Sequence, residues 1–275
     1  MSFLTGGLII DRLRFVHGHG SIQSYLDERF GRIGTVSYNF VVALRLLSEV
    51  FANLIVVGIV FGATGSVEYT GAVVVVALMT LGYSMLGGLR ASLRTDVLQM
   101  WLFLVALVVV VALAMGNESF DVARMMTSSP DLVSPGWVLL IVALLQVTSY
   151  PMHDPVMMDR GFLADRDTTR KSFLYACALS LGCIVAFGLL GVFAGLEKVS
   201  GEDLLATLER LLGAPAMLLV SFALVVSAVS TLDSTFASSA KLVVVDMKAA
   251  APTTRNGRIA MALCFAGGLA FLFLG

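Results

Sequence analysis

Seven apolar stretches, near residues 36–62, 69–89, 96–116, 136–158, 172–195, 214–242 and 258–275, are each long enough to cross the roughly 30 Å hydrocarbon core of a bilayer as a helix. With 58% hydrophobic and 13% charged residues over 275 positions, the chain is too apolar for an ordinary water-soluble domain. The expectation is an all-α, polytopic membrane protein forming one transmembrane domain over residues 1–275. A net charge of −1 with dispersed basic residues gives no reason to expect a nucleic-acid partner. Cys177, Cys183 and Cys264 have spacings that fit neither a metal site nor a disulfide framework, and they read as packing or lipid-facing residues.

The opening stretch before Asp11 is too short for a span and lacks the basic start of a signal peptide, so it reads as the tail of a helix begun upstream. Ser21 to Arg32 places Ile22, Tyr25, Leu26 and Phe30 at helical spacing among charges, the pattern of a short interfacial helix. With the N-terminal segment in the cytoplasm, Arg12, Arg14, Arg29, Arg32, Arg90, Arg94, Arg160, Arg166, Arg170, Lys171, Lys241, Lys248, Arg255 and Arg258 fall on or near that side. Only Arg124, Lys198 and Arg210 fall outside, and this bias predicts the orientation in a cell membrane.

The most informative stretch runs from Ser227 to Asp246. At 100° per residue Ser227, Ser230, Thr231, Ser234 and Ser238 form one narrow hydroxyl stripe, with Asp233 beside it. Two readings stand. Small and hydroxyl residues line contacts between membrane helices, where they back-bond to the preceding turn. They also offer oxygen ligands to a hard cation, and an intramembrane carboxylate such as Asp233 usually faces a bundle interior or aqueous cavity.

A second informative stretch is the fourth span. From Gly136 to Tyr150 it rises only about 22 Å, so it must continue through Pro151-Met152-His153-Asp154-Pro155 to cross. Such a helix is expected to break within the membrane, as helices do at transporter binding sites. The alternative is a helix that ends at the interface with His153 and Asp154 solvated. A histidine beside an aspartate suits proton coupling, and equally a structural hydrogen bond. In the first span Arg45, Glu49 and Asn53 lie four apart on one face, and Arg45 with Glu49 is expected to act as a tether in the bundle interior. Between the second and third spans, glycines permit a tight reversal at Tyr83 to Gln99, and Thr95 or Asp96 can cap the next helix.

Ser230-Thr231-Leu232, the following hydroxyls, Lys241 and Asp246 closely resemble the eighth core helix of the sodium/solute symporter family. Tyr83 to Gln99, with its paired glycines and Thr95-Asp96, resembles that family's inner loop between core helices four and five. Tyr150, Arg160 ten positions later and the run Gly161 to Asp165 resemble core helix six and the loop after it. The resemblance covers essentially the whole chain, from the end of core helix two to core helix nine. It implies an inverted-repeat, leucine-transporter-like helix bundle, incomplete because core helices one and ten are absent. It also implies sodium-coupled symport of a small organic solute by alternating access, with Na+ as coupling ion and no other cofactor.

On that resemblance, sodium is held by Ser230, Thr231 and the carbonyl of Ser227. The resemblance also puts Asp96 near the inner sodium route and Tyr150 beneath the substrate; read from the residues themselves, Asp233 and Ser234 join Asp96 as a second cation position or exit path, and His153 and Asp154 join Tyr150 as the substrate cavity or gate. The Pro-Met-His-Asp-Pro run stands where members carry glycine and uncharged amides or hydroxyls, which leaves the solute class open. A chain without core helix one is not expected to transport alone. The rival reading is the symporter-like membrane input domain of a sensor. A membrane enzyme built on His153 and Asp154 finds no second metal-ligand cluster, nucleophile motif or phosphate loop.

Overall fold

The computed structural model describes residues 1–129 and 135–274, with the side chains of 88–91, 135, 273 and 274 outside the description. The expected outer segment Asn117 to Pro135, the glycine pair Gly87-Gly88, Arg90 and the end of the last span fall partly on residues outside it. Among the described residues the regular structure is entirely helical. Five helices are long and apolar enough to cross a membrane, or six if one bent pair counts as a span. Most side chains on α5 (Pro135–Ser149) and α7 (Arg166–Leu196) that carry apolar surface present it outward. Such surface is stable against lipid tails and not against water.

Helix α1 (Ser2–Ile10) does not stop at Asp11, as the sequence suggests; it winds on as a π-helical turn over Asp11–Val16. Helix α2 (Ile22–Phe61) opens with a reciprocal Ser21–Ser24 capping box and is interrupted at Gly31, where φ is 63°. Only glycine takes that conformation without strain, so it sets apart the short arm expected at Ser21 to Arg32 from the span proper.

Helix α3 is helical throughout Val67–Met115, where sequence predicted an inner loop. Its arms Val67–Gly87 and Ser92–Met115 each have the length of a span. Ser84 Oγ and Thr95 Oγ1 nevertheless reach the same carboxylate, that of Asp233, at 2.7 and 3.2 Å. Eleven residues of straight helix would hold those groups roughly 16 Å apart, so the chain reverses between them while keeping helical backbone. The Met85 carbonyl, close to that reversal, accepts from Arg258 Nε at 2.9 Å, which ties the start of α10 to it.

The remaining elements are α4 (Val122–Met126), α6 (Pro155–Gly161), α8 (Leu204–Leu212), α9 (Ala214–Lys241), which continues as a π-helical turn to Asp246, and α10 (Thr254–Leu274). Helix α10 occupies the seventh expected stretch but is not among the helices that meet the length and hydropathy of a span. The main core lies between α2, α3, α9 and α10. Val42, Leu46, Val50 and Leu54 on α2, and Tyr69, Val73, Ala77 and Leu81 on α3, each repeat every fourth residue and so form facing ridges. Gly58 and Gly268 allow the closest approaches, since a Cβ would collide with the Tyr69 ring and with Val50 respectively. In lipid such packing replaces the hydrophobic effect as the force between helices. A second core joins the later arm of α3 to α7 and α9 through Leu107, Val110, Leu190, Phe193 and Val220.

Candidate functional site

Polar side chains gather where α9 faces both arms of α3. Asp233 is fully buried and accepts from Ser84 and Thr95, one hydroxyl from each arm. It therefore ties the reversal of α3 to α9. The hydroxyls of Tyr83 and Ser92 are buried beside it and interact with its carboxylate, and Gln99 lies against the Tyr83 hydroxyl.

Asp96 does not cap a helix start, because α3 is already helical before it. Its carboxylate instead forms an ion pair with Arg160, Nη2 to Oδ2 at 2.6 Å, and accepts from Ser230 Oγ at 2.6 Å on Oδ1. Ser234 Oγ lies 3.4 Å from Oδ2 and accepts from Arg160 Nη2 at 2.7 Å. One carboxylate thus collects two hydroxyls of α9 and the guanidinium of α6. In low-dielectric surroundings a carboxylate needs such compensation, and here Arg160 supplies the positive charge.

The expected sodium residues are divided between two surroundings. Ser230 turns to Asp96, whereas Thr231 Oγ1 donates back to the Ser227 carbonyl at 3.0 Å. Ser227 is exposed and Thr231 half-buried, so this pair faces outward from the bundle. The back-bond is the ordinary behaviour of threonine in a membrane helix and leaves lone pairs on both oxygens. Ser238, on the same stripe, is buried.

The fourth span breaks where the prolines stand. Helix α5 ends at Ser149, a 3-10 turn covers Tyr150–Met152, and α6 starts at Pro155 with an axis bent by 52°. Asp154 caps α6 by accepting from the Val156 amide at 3.1 Å. Proline at the first helical position needs no partner for a missing N–H, so Asp154-Pro155 reads as a restart signal. His153 packs edge-on against the Tyr150 ring at 5.6 Å between centroids, and is not a partner of Asp154. Neither the cleft beside α1 nor the apolar cavity between α3, α7, α8 and α9 is lined by Tyr150, His153 or Asp154.

Arg45 pairs with Glu49, as its spacing suggests, and also reaches across to donate to the Tyr150 hydroxyl at 2.9 Å. Asn53 Nδ2 also donates to the Glu49 carbonyl at 2.9 Å. The tether therefore runs from α2 to the broken helix. A second tether joins α6 to α9, where Lys241 Nζ lies 2.9 Å from both Asp159 Oδ1 and Asp246 Oδ2. Ser84 carried no sequence signal of its own. Asp159 did, as an acid adjacent to the base at 160 just past a proline-broken apolar run.

The fold and these contacts define a polytopic helical membrane protein whose charged and hydroxyl groups converge beside a discontinuous helix, the arrangement of secondary transporters. The chain belongs to the sodium:solute symporter family, whose model matches residues 1–263. Membership implies sodium-coupled solute transport in general terms. No curated protein and no solved structure matches the chain.

Proposed function

We propose that the chain forms the core of a symporter for a small organic solute, with sodium held against α9 and the solute met at the break between α5 and α6. The observation that carries this reading is Asp96, which gathers Ser230 and Ser234 of the hydroxyl stripe and the Arg160 guanidinium of α6 onto one carboxylate. Arg160 occupies the place of a cation there. Sodium and Arg160 are then alternative partners for Asp96, and sodium arrival frees α6 to move. Thr231 with the Ser227 carbonyl offers two further oxygens 3.0 Å apart, a spacing suited to neighbouring ligands of one hard cation.

Asp233, a fully buried carboxylate ringed by the hydroxyls of Ser84, Thr95, Ser92 and Tyr83, supports a second cation position or exit route. Tyr150, His153 and Asp154 form the proposed gate, held shut through Arg45 and through the capped start of α6. The N-terminal segment and the loop before α7 are placed in the cytoplasm on the arginine bias. The test is the thermal stability of the purified protein across a sodium series at constant ionic strength, with potassium as balance. Sodium-specific stabilisation that Asp96→Asn weakens supports the site, and identical curves in the two salts count against it.

A further inference from the structure

A cleft of about 620 Å³ opens between α1 and the first turns of α7. Its two ends differ in chemistry. At one end Phe3, Leu4, Leu8 and Leu174 form an apolar trough, deepened where Gly7 lets α1 approach Phe173 so closely that an added Cβ would lie 3.3 Å from the Phe173 Cβ. At the other end Asp11 accepts from two nitrogens of Arg166, at 2.6 and 2.8 Å, and Arg170 lines the mouth. The two helices run antiparallel, since Phe3 meets Phe173 while Asp11 meets Arg166. From Phe3 to Phe15 the chain rises roughly 18 Å, a little more than one leaflet's half of the hydrocarbon core.

The charges at the mouth do not balance. Asp11 is engaged by Arg166, Asp167 by Lys171 at 2.6 Å, and Asp165 by the Thr168 amide and hydroxyl. Arg14 donates to the Gly161 and Ala164 carbonyls. Arg12 and Arg170 remain. Both are exposed, neither guanidinium makes a hydrogen bond or ion pair with a described residue, and both act electrostatically on Asp11. An uncommitted guanidinium lining the mouth, that of Arg170, with that of Arg12 on the adjoining edge of the helix, at the charged end of a cleft about one leaflet long, is complementary to a phosphate head joined to an acyl tail.

We infer that the cleft between α1 and α7 binds an anionic phospholipid of the bilayer, its phosphate on Arg12 and Arg170 and one tail in the trough beside Leu4, Leu8 and Leu174. A soluble phosphate would use the arginines without the trough, and a further helix of protein would use the trough without the arginines. The lipid alone uses both.

The experiment titrates the purified, delipidated protein with dioleoyl phosphatidylglycerol or dioleoyl phosphatidylcholine and counts bound lipids by native mass spectrometry. The anionic lipid should bind on the order of tenfold more tightly, and each of Arg12→Ala and Arg170→Ala should cost about fivefold, the effect of one basic residue near a lipid surface. Arg170→Lys should keep the preference, which separates loss of charge from loss of fold. Leu8→Trp, which fills the trough from an exposed position, should weaken both lipids. The assignment is overturned if the two lipids bind equally, if the double arginine variant retains phosphatidylglycerol like the parent, or if glycerol phosphate displaces it as readily as the lipid itself does.

Discussion

Arg160 Nη2 lies 2.6 Å from Asp96 Oδ2, and this contact joins the segment after the broken helix to the arm of α3 that faces the hydroxyl stripe. Both residues are only partly buried, at 38% and 16% side-chain exposure, so the pair is accessible to exchange with an ion in a way that a sealed salt bridge is not. Removing the arginine leaves the carboxylate and both serine hydroxyls in place. Arg160→Gln should therefore lower the sodium concentration for half-maximal thermal stabilisation by roughly threefold to tenfold, while lowering stability in potassium. An unchanged sodium midpoint would show that Arg160 and sodium do not compete.

Asp233 presents a different case, because its partners are two hydroxyls from opposite sides of a chain reversal. Asp233→Ala strands both donors, Ser84 Oγ and Thr95 Oγ1, and should destabilise the purified protein by about 1–3 kcal/mol. In a double-mutant cycle, Ser84→Ala combined with Asp233→Ala should cost clearly less than the sum of the two. Additive losses in thermal unfolding would remove the tether as an explanation.

Thr231→Val keeps the shape of the side chain and removes the oxygen. The lost bond to the Ser227 carbonyl lies within one helix, so stability in potassium should change by no more than about 0.5 kcal/mol. The sodium midpoint should rise severalfold if that oxygen ligates the ion. Should the midpoint stay where it is, the Thr231 and Ser227 end of the stripe serves packing alone.

Topology is open to chemical labelling. Single cysteines at Ser128 and Thr168, both exposed, should react with a membrane-impermeant maleimide from opposite sides of the bilayer. Labelling from one and the same side would reject the arrangement drawn from the arginine bias.

The α7–α8 connection carries a pH signature. Arg210 donates to Glu202 through Nε and Nη2, at 2.9 and 3.1 Å, and holds that carboxyl below its ordinary value, aided by Thr207. A carboxyl lowered in the folded state stabilises above its unfolded pKa, about 4.3, and the contribution disappears as pH falls through the lower folded value. Limited proteolysis at residues 197–203 should therefore quicken as pH drops below about 4. In Arg210→Ala the same segment should already cleave faster at neutral pH, and equal cleavage in the two proteins would refute the link.

Local composition determined a good deal of this protein. A bilayer leaves the backbone no solvent to bond with, so each long apolar run had to become a helix, and Pro151 and Pro155 had to interrupt the one that carries them. Asp154-Pro155 likewise specified the restart of α6 through groups that lie within two residues of each other. The hydroxyl stripe of α9 was legible as a face, because a helix turns by a constant angle per residue. Its partners were not. That Ser230 meets Asp96, that Asp233 meets Ser84 and Thr95, and that Arg45 reaches Tyr150 across 105 residues of chain all depend on how α3 reverses and how α6 is bent. Those are long-range relations between rigid helices, decided by ridge packing and by where buried charge finds its complement. No periodicity within one segment encodes them.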